Sequence, residues 1–61
     1  MEDDEKLVET VAREIVEQHG VESLEILRER AEAADLLGDP LAAETWRDIA
    51  DIAERMLREM S

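Results

Sequence analysis

The sequence has no cysteine, no tyrosine and no phenylalanine, and its only aromatic residue is Trp46. Without cysteine there is neither a disulfide nor a thiolate metal site. With a single histidine, His19, a structural zinc site has too few ligands. One proline and two glycines confine the strong turn signals to two places. No stretch approaches the roughly 20 apolar residues that cross a bilayer. The opening Met1-Glu2-Asp3-Asp4-Glu5 is the reverse of the basic start of a signal peptide, so a soluble cytoplasmic protein is expected. Bases are also scarce: 7 Lys and Arg stand against 18 Asp and Glu, for a net charge of -11. A chain so acidic repels phosphate backbones and anionic membranes, and direct nucleic-acid binding is disfavoured. A basic protein surface is the partner that the charge permits.

The 61 residues make one small domain, 1–61. Ordering a chain costs about 1.5 kcal/mol per residue, which burial barely matches at this size. With disulfides and metals removed, a second subunit is the common remaining source of stability, and idealised helix packing is the other.

What is present is helical periodicity. Ala42, Trp46, Ile49, Ala53, Met56 and Met60 recur at alternating spacings of four and three, the seam of a helix packed against other helices. Ala43, Ala50 and Leu57 widen it on one side, and Leu41, Thr45 and Ile52 on the other. Leu7, Val8, Val11, Ala12 and Ile15 form a first stripe with Val16 at its margin; Asp3 or Asp4 is expected to cap that helix. Leu24, Leu27, Ala31 and Ala34 form the seam of a middle helix, with Ile26, Ala33 and Leu37 as a second line and Leu36 off both. Gly20 is placed to close the first helix. Gly38 ends the second, Asp39 caps the third and Pro40 occupies its first turn. The expectation is an all-α, compact three-helix domain with two short Gly-containing corners and helices over about 3–19, 22–37 and 40–60. Trp46, Ile49 and Leu27 are its expected core anchors, Trp46 as the largest side chain.

Gln18-His19-Gly20, Leu37-Gly38-Asp39 and Trp46 with Ile49-Ala50 together resemble a small, uncharacterised three-helix family of alphaproteobacteria. Its members show a similar His-Gly corner, Gly-Asp corner and Trp-x-x-Ile-Ala helix. The likeness runs from about Val11 to Leu57. Members are less acidic and carry more aromatics in the first helix, where this chain has none. The resemblance implies a bacterial helical fold and transfers no site residues, because the family's activity is unknown.

Chemistry-bearing constellations are few. Ser23 and His19 lie four apart across a helix break, without the orienting group and oxyanion site that a triad requires. Asp48 with Asp51, and Glu14 with Glu17, sit one turn apart on polar faces. A helical di-metal site needs an acid three residues before a histidine, and His19 has none there. No catalytic residue, metal or cofactor is expected. The third helix carries five acids (Glu44, Asp48, Asp51, Glu54, Glu59) against Arg47, Arg55 and Arg58, the wrong balance for a recognition helix.

Two functional expectations follow. The first is a non-enzymatic protein–protein interaction module that self-associates as a homodimer, its interface drawn from Ile26, Leu36, Leu41 and Ile52. The second is an acidic inhibitor that mimics nucleic acid, of the phage-encoded anti-restriction or anti-CRISPR kind. It would bind a basic protein surface through the acidic face Glu2, Asp3, Asp4, Glu5 and Glu9. A solvated surface that keeps a small protein soluble is the plain alternative for those acids.

Overall fold

The computed structural model describes the backbone of residues 2–60 and the side chains of residues 6–60. The chain enters a helix at once: α1 is Glu2–His19, followed by a single 3₁₀ turn, Gly20–Glu22. Then come α2, Ser23–Leu36, and α3, Pro40–Met60. Among the described residues there is no strand, and the fold is all-α.

The corner between α2 and α3 is built by three consecutive residues. Gly38 takes φ +76°, a left-handed conformation that a side chain resists. Its N–H donates to the Asp35 carbonyl at 3.0 Å, and the Asp39 N–H to the Ala34 carbonyl at 2.9 Å. Those two bonds satisfy carbonyls that the end of α2 would otherwise leave open, as in a Schellman motif. Asp39 then faces the other way: its Oδ1 accepts the Ala42 N–H at 3.1 Å, capping α3 with Pro40 in the first turn. One residue therefore ends one helix and starts the next.

The Gly20 corner is different. Gly20 also has positive φ, +59°, but the chain resumes a helical course immediately, through the 3₁₀ turn into α2. The Ser23 N–H and hydroxyl both donate to the Gly20 carbonyl, which ties the two segments together. The first 35 residues of helix thus read as one long run bent at Gly20–Glu22, and the expected three helices are not clearly three. The bounds shift accordingly. The middle helix starts at Ser23 rather than 22, and Leu37 belongs to the turn. Asp3 and Asp4 lie inside α1 rather than at its cap; their side chains lie outside the described residues.

Packing explains the shape. α1 and α2 touch each other far less than either touches α3. The Cα extents are 35 × 27 × 15 Å. Two helices stacked 8–10 Å apart, each with a Cα radius near 2.3 Å, span about 13–15 Å, so the thin dimension is two helical layers. The bent run forms one layer and α3 the other. The sealed core is Ala12 and Val16 from α1, Leu27 from α2, and Ile49 and Ala53 from α3. Leu27 is its largest fully buried apolar side chain.

Trp46 is not at that centre. It is half-buried and packs on the margin of the core, with the Arg30 guanidinium carbon 5.3 Å from its ring centroid. The α2 residues beside it include Arg30, Ala33 and Ala34, and the small alanines leave a shallow open cleft of about 420 Å³ next to the ring. The ring is covered from outside by a cation. Arg47 and Asp35 close a second α2–α3 contact nearby, at 2.6 Å, between two exposed side chains. An exposed pair of this kind contributes little to stability.

Candidate functional site

Three leucines bracket the Gly38 corner without cover. Leu36, the last residue of α2, is 88% exposed, Leu37 in the turn is 84% and Leu41 in the first turn of α3 is 76%. Leu36 points opposite to the seam formed by Leu27, Ala31 and Ala34, which are buried. Leu37 follows the point where α2 ends, so the face it would have continued is no longer there. The charges beside them are already engaged: Asp35 by Arg47, and Asp39 by the Ala42 N–H.

The four expected interface residues therefore part company. Leu36 and Leu41 are exposed together at one corner. Ile26 is half-buried on α2, and Ile52 is half-buried and packs on the core. Leu37 shares the second line of α2 with Ile26 and Ala33 and was not among them, yet it is exposed beside Gly38. The available signal was its position next to Gly38. Of the expected acidic face, Glu9 is exposed; Glu2, Asp3, Asp4 and Glu5 lie outside the described side chains.

A second surface feature is a long open groove between α1 and α3, about 1280 Å³. Its lining includes Val8, Val16, Ile52 and Met56, with Leu7 and Met60 exposed at its end.

The hydroxyl groups of the described residues are committed to backbone. Thr10 donates to the Lys6 carbonyl at 2.8 Å and Thr45 to that of Leu41 at 3.0 Å. Ser23 is fully buried with its hydroxyl on Gly20, while His19 is exposed, so the two are not assembled as nucleophile and base. Among the described residues, no group of three or more His, Asp or Glu is placed to hold a metal ion. Among them, too, no helix is long and apolar enough to cross a membrane. Arg58 pairs with Glu54 at 2.6 Å.

No protein-family model, curated protein or solved structure matches the chain. The alphaproteobacterial resemblance accordingly rests on its corner and core residues alone.

Proposed function

We propose that this chain is a non-enzymatic cytoplasmic interaction module that associates with a second copy of itself through the Gly38 corner. The observation that carries the reading is the exposure of Leu36, Leu37 and Leu41 within six residues of a hydrogen-bonded turn. Single exposed leucines are ordinary; three on one fixed corner form a patch. Burying each of these leucines against a second copy is favourable by roughly 1.5–3 kcal/mol.

Charge argues in the same direction about conditions. Two copies at -11 each repel, and the repulsion is screened by salt. Molar mass by light scattering across a wide concentration range is the test. A dimer that strengthens with salt and is lost in Leu36→Glu/Leu41→Glu is expected. A folded monomer at every concentration and salt level rejects the reading. Ile52→Glu does not belong in this test, because that side chain packs on the core.

The net charge favours a second reading, an acidic inhibitor that occupies a basic, nucleic-acid-binding surface. Its binding would weaken steeply with salt, the opposite response.

A further inference from the structure

The α1/α3 groove is a separate surface from the leucine corner, and its chemistry is two-toned. Its floor is apolar: Val16 is buried, Val8, Ile52 and Met56 are half-buried, and Leu7 and Met60 lie open at the end. Its rim is charged. The α1 side presents Glu9 and Glu17 with Arg13 between them, and the α3 side presents Asp48, Asp51 and Glu59 with Arg55. All seven are exposed, and five acids against two arginines leave the rim at -3.

The groove is the right length for one element. From Thr45 to Met60 it follows α3 over 16 residues, whose 15 rises of 1.5 Å span about 22 Å, or four helical turns. A floor of Val, Ile and flexible Met accepts an apolar helix face, with Met56 and Met60 able to adapt to its side chains.

A second copy does not fit this groove. In each of α1, α2 and α3 acids outnumber bases, so any helix of this chain would bring like charge to the rim. A nucleic acid brings phosphates to the same acids and has no apolar face for the floor. What remains complementary to both floor and rim is a helix with one apolar stripe flanked by Lys and Arg.

We infer that the α1/α3 groove binds a basic amphipathic helix of a partner protein, about four turns long. The stripe of that helix lies on Val8, Ile52 and Met56, and its basic flanks meet Glu17, Asp48, Asp51 and Glu59. The interaction does not use the leucine corner and does not depend on self-association.

The experiment uses the full chain and three labelled 16-residue peptides, with anisotropy as the readout. One has a Leu stripe with Lys/Arg flanks, one has the same stripe with Glu flanks, and one has the basic composition with the stripe scrambled. The first should bind saturably, at least about tenfold more tightly than either of the others. Amide chemical-shift changes should fall on residues 7–17 and 45–60. Asp48→Lys/Asp51→Lys/Glu59→Lys alters only exposed positions and should lower affinity for the basic striped peptide at least about tenfold, a change of ~1.4 kcal/mol. Leu36→Glu/Leu41→Glu should leave peptide binding unchanged, which separates this surface from the corner. Equal binding of the scrambled peptide, shift changes confined to other residues, or no saturable binding of the striped basic peptide would each overturn the inference.

Discussion

Leu27 is the residue on which all three helices converge. It is fully buried and belongs to the cluster with Ala12, Val16, Ile49 and Ala53. Truncation to alanine at such a site costs about 2–5 kcal/mol. A chain of this length has a total stability of roughly 3–9 kcal/mol on a per-residue scale. Leu27→Ala should therefore remove a large share of the total stability, read as a much lower urea midpoint of helical ellipticity. Ser23→Ala is a gentler case. It removes a buried hydroxyl whose acceptor, the Gly20 carbonyl, keeps the Ser23 N–H. The expected loss is about 1 kcal/mol, read as a lower urea midpoint with an unchanged slope. Leucine burial was legible from spacing, since Leu27 sits midway along its stripe. The burial of Ser23 was not, because a serine at a helix start reads as polar until its partner is known. Trp46 is a related case: size predicts how much surface a side chain can bury, not whether its ring sits at the centre of the core or packs on its margin, as here.

At the scale of elements, the two glycine corners make a controlled comparison. Both have positive φ, and at neither does an added Cβ meet a neighbour, so alanine pays only the backbone cost. Gly38→Ala should lose about 1–2 kcal/mol, measurable as a lower midpoint of thermal unfolding. Asp39→Ala should lose about 1 kcal/mol by uncapping α3, with faster hydrogen exchange at the Ala42 amide as the specific sign. The Gly38 corner was fully legible because each instruction is local: a glycine to stop, an aspartate to cap, a proline to begin. Gly20 carries the first instruction without the other two. No side chain caps the segments that follow it, and the chain bends instead of turning back. The interface residues divide along the same line. Leu36 was readable from its angle on α2, whereas Ile52 needed knowledge of which helix lay beside it.

For the whole molecule, the dominant quantity is the net charge of -11 spread over two thin layers. Self-repulsion opposes compaction, and salt screens it. Thermal unfolding followed at low and high sodium chloride should show a midpoint that rises with salt, also for Leu36→Glu/Leu41→Glu. A midpoint that falls would mean that favourable ion pairs outweigh the repulsion. Periodicity announced which face of each helix is apolar, but it could not rank the pairings. That ranking emerges from the bend, which leaves α1 and α2 with little mutual contact and packs both on α3.

The dependence of both early helices on α3 has a consequence for synthesis. As the chain leaves the ribosome, α1 and α2 appear first, each with an apolar stripe and little of the other to cover it. Until residues 43–53 have emerged, the surface that receives those stripes does not yet exist. Completion of the core therefore waits for the last third of the domain, and the segment that emerges before it is strongly acidic, a composition that opposes aggregation.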